Sequence, residues 1–295
     1  MHVAIIGAGL IGKALGRILK EKKGIAVSFW DHTPGVVPRQ SPLEETVGRA
    51  DFVFFCIPSF AIRDAARTVR PFLKRQTIVI GVSKGIEANT NLTTDRLLKS
   101  ALPWRQPFAL LFGPMLAGEL DSGVCGHAVA AAGSPSVAFK MLTLFHGTRL
   151  RVKKSYDLRG VAVCGALKNI YAIGLGMIDG LGAGDNTRGA YVGAAVAEMR
   201  QIVKRLGGEA ATVDGYAGIA DLIATGGSVH SRNRSVGFAL GSKKRARGSE
   251  GANAAVAVAE LLGKKHAEFP ILHSLVRILG SAAEPEELIA AVCAS

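Results

Sequence analysis

A lysine in the middle of a long apolar segment is the clearest candidate for a residue that does chemistry. Val161–Ile178 is apolar on every face of a predicted helix, as in a helix buried on all sides, yet Lys168 and Asn169 lie near its centre. Because burial disfavours the ammonium, such a lysine either pairs with an acid or has a pKa low enough to exchange protons with a substrate. The alternative is that Lys168 extends its amine to solvent. The glycine-rich segment Asp179–Gly189 favours the first interpretation, because it is typical of a loop that brings backbone close to a ligand.

A glycine motif near the start of the chain is a second candidate site. The apolar run His2–Ile6 ends in G-A-G-L-I-G, and helical spacing follows over Lys13–Lys20. A buried strand, a tight turn and a helix form the context in which G-x-G-x-x-G binds a dinucleotide. Gly7 permits the turn, Gly9 lets the backbone approach the pyrophosphate, and Gly12 allows the helix to pack closely on the strand. The helix N-terminus then faces the phosphates.

An acid ends the next predicted strand, Ile25–Trp30, and lies about twenty residues beyond the glycines. At that position Asp31 can accept hydrogen bonds from the hydroxyls of the adenosine ribose. Its carboxylate would repel a 2′-phosphate, so the sequence favours NAD over NADP. The alternative is that Asp31 only caps a turn.

Motifs in the second half of the chain resemble those of the NAD(P)-dependent glycerol-3-phosphate dehydrogenases. They are G-A-L-K-N, D-G-L-G-A-G-D-N-T, G-I-A-D-L-I-A-T and S-R-N-R-S-V-G, and the similarity extends over nearly the whole chain. The resemblance implies interconversion of sn-glycerol 3-phosphate and glycerone phosphate (dihydroxyacetone phosphate) by hydride transfer with NAD or NADP, without a metal. It also implies a cytoplasmic homodimer that serves glycerophospholipid synthesis.

The resemblance implies a role for individual residues. Lys168 would transfer the hydroxyl proton, Asp221 would orient its ammonium, and Arg232 would grip the substrate phosphate near the cofactor. The further residues implied to bind the substrate are Lys84, Gly113, Asn169, Thr225, Ser231 and Asn233. The residues implied to bind the cofactor are Gly7, Gly9, Leu10, Ile11, Gly12, Asp31, His32, Lys84, Ala117, Arg232 and Glu250.

Several of these residues have a simpler structural interpretation. Asp221 could be a helix-terminal cap, the S-R-N-R segment could be a solvated basic turn, and Glu250 could be an exposed acid before a helix. His32 stands where the family often has a basic residue able to meet a 2′-phosphate, which would weaken the preference for NAD.

The sequence departs from the family pattern at four positions near the proposed ligands. Met115 and Leu116 replace a small, usually hydroxyl-bearing residue and an aromatic residue. Leu10 and Ile11 replace a polar and an aromatic residue in the glycine turn. The segment from His32 to Glu45 is also shorter than usual. These changes bear on substrate and cofactor contacts and leave the fold prediction intact.

The elements that must position these residues follow from short apolar runs that alternate with helical segments such as Ile62–Phe72 and Thr94–Leu102. The later predicted strands are Asp51–Pro58, Thr77–Gly81, Phe108–Phe112, Ala128–Ala132 and Arg149–Val152. Such alternation predicts an α/β Rossmann domain with a doubly wound, mostly parallel sheet over residues 1–155. Helical patterns then predict an all-α substrate-binding domain over residues 156–295, with the active site in the cleft between the two domains.

Composition limits the class of protein. The 295 residues are 48% hydrophobic with a mean hydropathy of +0.27, which excludes a disordered chain. The net charge of +13 favours anionic ligands such as a dinucleotide and a phosphorylated metabolite. Lysines and arginines are scattered, with the densest cluster at residues 243–247, and aromatic residues are few, so specific nucleic-acid binding is not expected.

Cysteine usage and the N-terminus point to a protein of the cytosol. Cys56, Cys125, Cys164 and Cys293 are widely spaced and fit no zinc pattern, so we expect reduced core residues and no metal site. No signal peptide is evident. The longest uncharged run, Ser122–Phe139, is broken by polar residues and is a poor membrane span.

Two other functions remain compatible with the residues. One is a different lysine-dependent reductase on the same two-domain plan, acting on a small hydroxy acid or another phosphorylated carbonyl compound. The other is a non-catalytic sensor that binds the dinucleotide. The combination of Lys168, Asp221 and Arg232 disfavours the sensor, because binding alone does not require all three.

Overall fold

The computed structural model describes residues 1–246 and 248–294, so Arg247, which ends the basic cluster 243–247, lies outside the described residues. The chain divides into two compact units. The first comprises Met1–Lys84 and Thr94–Leu158, and the second comprises Gly85–Thr93 and Arg159–Ser295. The sequence pattern of Gly85–Thr93 contains no indication that this segment packs with the second unit.

The first unit is built around a β-sheet. In chain order, the strands in the described residues are β1 (His2–Ile6), β2 (Ala26–Trp30), β3 (Phe52–Phe55), β4 (Ile78–Gly81), β5 (Ile86–Glu87), β6 (Leu92–Thr93), β7 (Phe108–Phe112), β8 (Gly126–Ala132) and β9 (Leu150–Ser155). Seven of these described strands form one sheet in the order β2-β1-β3-β4-β7-β8-β9, and β5 pairs with β6 as an antiparallel hairpin of the second unit.

All neighbouring strands of the large sheet are parallel except β7 and β8, which are antiparallel. β3 and β4 are buried at every position, as expected where helices cover both faces of a parallel sheet. The predicted α/β fold with a doubly wound, mostly parallel sheet is confirmed.

Six helices in the described part of the first unit flank this sheet. They are α1 (Leu10–Lys20), α2 (Leu43–Gly48), α3 (Ile62–Val69), α4 (Thr94–Ala101), α5 (Ala117–Asp121) and α6 (Pro135–Phe145). α1 buries Ala14, Leu15, Ile18 and Leu19, the helical spacing that the sequence predicts. α3 ends earlier than predicted, at Val69, because Pro71 has no N–H to continue the helix and a 3₁₀ turn follows.

The described residues after Ser155 contain no strand and include seven α-helices. They are α7 (Leu158–Gly180), α8 (Gly184–Arg205), α9 (Asp221–Gly227), α10 (Arg232–Gly241), α11 (Glu250–Leu262), α12 (Pro270–Leu279) and α13 (Glu287–Cys293). α7 is buried from Gly160 to Ile178, so the predicted all-round burial is confirmed. By length and composition α7 could cross a membrane, but its most apolar window is 100% buried inside the protein, as in a core helix.

The prediction of a long glycine-rich loop over Asp179–Gly189 is wrong for most of that segment. Asp179 and Gly180 complete α7, and α8 already begins at Gly184, which leaves a tight connection of three residues. Gly182 and Gly184 have φ of +65° and +83°, so glycine is needed for the turn itself.

The cysteines are all free, as predicted, but two of them are not core residues. Cys56 and Cys164 are buried, and burial raises the pKa of Cys56 to about 12, so its thiol stays protonated. Cys125 and Cys293 are exposed, because the first lies in the turn before β8 and the second ends α13.

Candidate functional site

The glycine turn between β1 and α1 has the close contacts that the motif predicts. Gly7 has φ of +97°, and a Cβ there would lie 2.5 Å from the carbonyl oxygen of Cys56. A Cβ at Gly12 would overlap the carbonyl oxygen of Gly7, so both positions require glycine. Gly9 caps α1 and has no atom within 4 Å of its Cβ position, which leaves open space beside the helix N-terminus.

The carboxylate of Asp31, which directly follows β2, is hydrogen-bonded to this turn. Its Oδ2 accepts a hydrogen bond from the backbone N–H of Ala8 at 2.8 Å, and its Oδ1 accepts one from Thr33 at 3.0 Å. Burial alone would raise the pKa of Asp31, but the amides of Thr33 and Ala8, with His32 nearby, outweigh it and lower that pKa below its usual value. The turn-capping interpretation therefore describes part of what Asp31 does, and its role at a ribose stays a prediction.

A cavity of about 390 Å³ opens beside Asp31 in the first unit. Apolar side chains make up much of its lining, including Trp30, Leu43 and Phe60. The glycine turn reaches the same cavity through Gly7. An apolar pocket next to an acid and an open helix N-terminus is the kind of site that holds the adenosine end of a dinucleotide.

The other predicted cofactor residues of the glycine turn are exposed to different degrees. Leu10, the first residue of α1, is 82% exposed, and Ile11 after it is partly buried. The imidazole of His32 is 87% exposed and its Nδ1 lies 3.6 Å from Oδ1 of Asp31. His32 also lines the cavity, so a basic group is available there.

Lys84 and Gly113 lie together at the carboxyl ends of two neighbouring parallel strands. Lys84 follows β4, Gly113 follows β7, and Nζ of Lys84 donates a hydrogen bond to the carbonyl oxygen of Gly113 at 2.6 Å. Gly113 has φ of +147°, and a Cβ there would lie 2.5 Å from the carbonyl oxygen of His127. Ala117 begins α5 a turn later and is partly buried. Met115 belongs to the core of this unit and is 7% exposed.

Lys168 is held by an acid and a threonine in the second unit. Its side chain is 8% exposed, so it does not extend to solvent. Nζ donates a hydrogen bond to Oγ1 of Thr225 at 2.8 Å and lies 3.3 Å from Oδ1 of Asp221. The hydroxyl of Thr225 in turn donates to the same carboxylate oxygen of Asp221 at 3.3 Å. Asp221 is 2% exposed, so this is a buried ion pair with an added hydroxyl.

An irregular turn brings Asp221 to this place. Tyr216–Ala220 is a π-helical turn that runs directly into α9, with a non-helical conformation at Gly218. A Cβ at Gly218 would overlap the carbonyl oxygen of Val213, so only glycine fits at this position. Asp221 and Thr225 are one helical turn apart on α9 and share a face toward Lys168.

Asn169 connects α7 to two other helices. Its Oδ1 accepts a hydrogen bond from Nδ2 of Asn233 at 2.9 Å, and Oδ1 of Asn233 accepts one from the backbone N–H of Gly251 at 3.0 Å. The first turn of α10 therefore lies beside the residue that follows Lys168. Glu250, at the start of α11, precedes Gly251 and is exposed.

The first turn of α10 carries the predicted phosphate-binding residues. Ser231 is its N-cap, and the hydroxyl accepts a hydrogen bond from the backbone N–H of Arg234 at 3.2 Å. Arg232 is the first residue of the helix and is exposed. An exposed guanidinium at a helix N-terminus, where backbone N–H groups also point outward, suits a phosphate ligand.

Glycines on α7 and α10 fix the position of that turn. A Cβ at Gly176 would overlap the carbonyl oxygen of Arg234, and a Cβ at Gly237 would overlap that of Ile173. The two helices therefore touch backbone to backbone. Sequence reasoning missed this contact, although G-x-x-x-G spacing occurs on both helices, at 176 and 180 and at 237 and 241.

Sequence reasoning also missed Gly251 and an ionic cluster of Asp179 with Arg188 and Arg234. The motifs contain Asp179 and Arg234, and Arg188 directly follows one of them, but spacing along the chain does not tell which side chains meet. Within residues 1–246 and 248–294, no group of three or more His, Cys, Asp or Glu side chains could hold a metal ion.

Comparisons with known proteins cover both halves of the chain. Residues 33–138 match the model described as NAD-dependent glycerol-3-phosphate dehydrogenase N-terminus, and residues 157–290 match the corresponding C-terminus model. The glycerol-3-phosphate dehydrogenase of Clostridium perfringens, named as acting with NAD(P)+, is 32% identical over 97% of this chain and 95% of its own length. The protein of the same name from Chlorobium limicola is 33% identical over 95% of this chain and 93% of its own length.

A solved structure gives the same result. Glycerol-3-phosphate dehydrogenase from Coxiella burnetii matches with a TM-score of 0.86 and 28% identity, over 98% of this chain and 97% of that one. The resemblance that the motifs predict is confirmed. The chain belongs to the NAD-dependent glycerol-3-phosphate dehydrogenase family.

Proposed function

We propose that this chain is an NAD(P)-dependent sn-glycerol-3-phosphate dehydrogenase that interconverts glycerone phosphate and sn-glycerol 3-phosphate. The observation that carries the proposal is the buried lysine, acid and threonine on α7 and α9. An asparagine pair joins this group to the first turn of α10, where Arg232 lies. The names of the relatives from Clostridium perfringens and Chlorobium limicola support the same substrate pair.

Lys168 is the proton-transfer group of the proposed reaction. When bound, the nicotinamide supplies or accepts the hydride. During reduction of glycerone phosphate, the ammonium of Lys168 gives a proton to the ketone oxygen while carbon 2 receives the hydride. During oxidation of glycerol 3-phosphate, the neutral amine takes the proton of the 2-hydroxyl while hydride leaves carbon 2.

Asp221 and Thr225 position the amine and balance its charge. A buried ammonium without a counter-ion would be costly, and the carboxylate at 3.3 Å offsets that cost in the protonated state. Thr225 accepts from Nζ and donates to Asp221, which restricts the directions in which Nζ can move. The amine is thus held in one place for both directions of the reaction.

Arg232 binds the phosphate of the substrate, and Asp31 selects the cofactor. A guanidinium can hold two phosphate oxygens at once, and the N-terminus of α10 adds a favourable dipole for an anion. The carboxylate of Asp31 meets the adenosine ribose and repels a 2′-phosphate, so NADH is preferred over NADPH. The remaining predicted ligands of substrate and cofactor, among them Lys84, Gly113 and Glu250, belong to this proposal with the roles that the family resemblance implies.

We also propose that the protein is a cytoplasmic homodimer that supplies glycerol 3-phosphate for glycerophospholipid synthesis. The support is the family membership. Light scattering coupled to gel filtration tests the dimer, since a mass near 30.8 kDa would indicate a monomer.

The experiment that tests the proposed function follows NADH absorbance with glycerone phosphate as the substrate. We expect oxidation of NADH that depends on glycerone phosphate, and none with small 2-keto acids such as 2-ketopantoate. Oxidation with a keto acid alone would favour a different reductase. NADH binding without any turnover would favour a dinucleotide-binding sensor.

Lys168→Met separates catalysis from packing in the same assay, because methionine has similar length and carries no proton. General acid–base catalysis contributes about 10² to 10⁴ in rate, so kcat should fall by that order. Quenching of tryptophan fluorescence by NADH should remain, since the glycine turn belongs to the other unit. A variant that keeps more than about a tenth of the normal kcat would remove Lys168 from the mechanism.

A further inference from the structure

Asp179, in the last turn of α7, is bonded to arginines from two other helices. Its Oδ1 accepts a hydrogen bond from Nη1 of Arg188 at 2.5 Å, and its Oδ2 accepts one from Nη2 of Arg234 at 2.8 Å. Arg188 lies near the start of α8 and Arg234 lies in the first turn of α10. The side chain of Asp179 is 15% exposed and that of Arg234 is 20% exposed, so water screens this pair less than a surface ion pair.

Both the backbone and the side chain of Arg234 are fixed to α7. Its carbonyl oxygen lies directly against Gly176, where a Cβ would overlap it. Its guanidinium reaches Asp179, which is three residues further along α7 and on the same face of that helix. The first turn of α10 is therefore held at two points one helical turn apart.

Arg232 lies in that same turn, and its guanidinium makes no hydrogen bond or ion pair with any residue in the described part of the chain. Its guanidinium therefore takes its position only from the turn that carries it. The charges also matter, because Asp179 faces two arginines. Without its carboxylate, the cationic Arg188 and Arg234 would repel each other and move the start of α10.

We propose that Asp179 is a positioning residue for phosphate recognition, which acts through Arg234 on the first turn of α10 and so sets the place of Arg232. The inference rests on the proposed function, since it requires Arg232 to bind the substrate phosphate. Asp179 itself touches neither substrate nor cofactor.

The first test is Asp179→Asn, which keeps the shape of the side chain and removes its charge. KM for glycerone phosphate should rise on the order of tenfold, as for loss of one charge-assisted hydrogen bond, while kcat and KM for NADH change less than about twofold. Glu287→Gln is the control, because it removes the charge of a carboxylate that pairs with Arg277 elsewhere in the second unit. It should leave all three constants unchanged. An unchanged or lower KM in Asp179→Asn would overturn the inference, since freed arginines would then bind phosphate as well as before or better.

The second test combines Asp179→Asn with Arg232→Ala. If Asp179 acts through Arg232, its replacement should change KM by less than about twofold once Arg232 is absent. Effects that simply multiply would overturn the inference and leave the proposed function intact. If Asp179→Asn does not fold, Arg234→Lys replaces it in both tests, because lysine keeps the charge but loses the two-pronged geometry. An unmodified protein that does not oxidise NADH with glycerone phosphate would overturn both proposals together.

Discussion

Arg232 differs from Lys168, Asp221 and the two asparagines of the candidate site, because it is exposed while they are buried. Such a side chain contributes little to folding, so its replacement should affect ligand binding alone. We expect Arg232→Ala to lower kcat/KM for glycerone phosphate by about ten- to a hundredfold, the range for loss of roughly 1.5 to 3 kcal/mol from a charge-assisted hydrogen bond. Dihydroxyacetone, the same ketone without phosphate, serves as the control substrate. An equal loss with dihydroxyacetone would mean that Arg232 does not bind the phosphate.

One substitution can separate the hydrogen bonds of Asp31 within the protein from its proposed role at the ribose. Its carboxylate accepts two backbone amides within the protein, and we propose that it also faces the ribose. Asp31→Asn keeps an oxygen acceptor and removes the charge that repels a 2′-phosphate. The ratio of kcat/KM for NADH to that for NADPH should therefore fall toward one, mainly through better use of NADPH. A ratio near one in the unmodified protein would contradict the assignment.

The sequence identifies candidate site residues more reliably than it predicts which side chains contact each other. Lys168 stands out because a charge is rare in a fully apolar helix, and its burial and its pairing with Asp221 agree with that argument. Thr225, which also binds Nζ, was named only through the family resemblance. The ionic cluster around Asp179 was not foreseen, because its three members come from three helices and no local pattern links them.

At the scale of elements, the contact between α7 and α10 depends on glycine. A methyl group at Gly237 would overlap the backbone of α7, and neither helix can yield without moving the site residues. Gly237→Ala should therefore destabilise the protein by about 1 to 3 kcal/mol or more, the usual cost of overpacking. Gly193→Ala is the control, since Gly193 lies inside α8 with open space around its Cβ position. It should stabilise by about 0.5 to 1 kcal/mol, because alanine favours helix. Urea unfolding measures both, and equal effects would contradict the packing argument.

The N-terminus of α12 depends on a buried acid from another helix. Glu198 of α8 accepts hydrogen bonds from the backbone N–H groups of Ile271 and Leu272 and from the hydroxyl of Tyr171. Burial raises the pKa of Glu198, and these three donors oppose the rise without cancelling it. Folding therefore favours the protonated carboxyl. Its contribution to stability is fully present below the ordinary pKa of 4.5 and is lost as pH rises through the raised value.

Glu198→Gln isolates this effect, because glutamine cannot ionise. The free energy of unfolding of the unmodified protein, relative to that of the variant, should decrease as pH rises from about 4.5 toward neutrality. Hydrogen bonds lost in the variant do not depend on this titration and leave the slope unchanged. Urea titrations at several pH values give the difference, and an increase with pH would show that the hydrogen bonds lower the pKa instead.

Some elements could not be predicted because their sequence has no period. β5 and β6 are two residues long each, too short for alternation to be visible. They belong to the second unit through contacts such as the hydrogen bond from Asn91 to Glu260 and that from Arg159 to Thr93, which join residues far apart in the chain. The sequence predicts a loop over the first residues of α8, because the segment that ends at Gly189 contains glycine together with Asp and Asn.

At the scale of the whole molecule, the architecture was more predictable than its details. Apolar runs that alternate with helical segments leave few topologies other than a doubly wound parallel sheet, since crossover connections are right-handed. The antiparallel pairing of β8 with β7 departs from strict alternation, and the connection between these two strands contains the short helix α5.

The net charge of +13 is a property of the whole molecule, and we expect it to affect how KM depends on salt concentration. Both proposed ligands are anions, and a positive field raises their concentration near the protein. Salt shortens the reach of that field, since the Debye length falls to about 8 Å at 0.15 M ionic strength. KM for glycerone phosphate should therefore rise roughly two- to tenfold between about 20 and 300 mM potassium chloride, with little change in kcat.

Uncharged dihydroxyacetone is the control and should show a much smaller dependence at saturating NADH. In Arg232→Ala the dependence should weaken but persist, because the remaining cations still contribute to the field. A KM for glycerone phosphate that does not change with salt would mean that contact with individual residues, and not the charge of the protein, governs capture of the substrate.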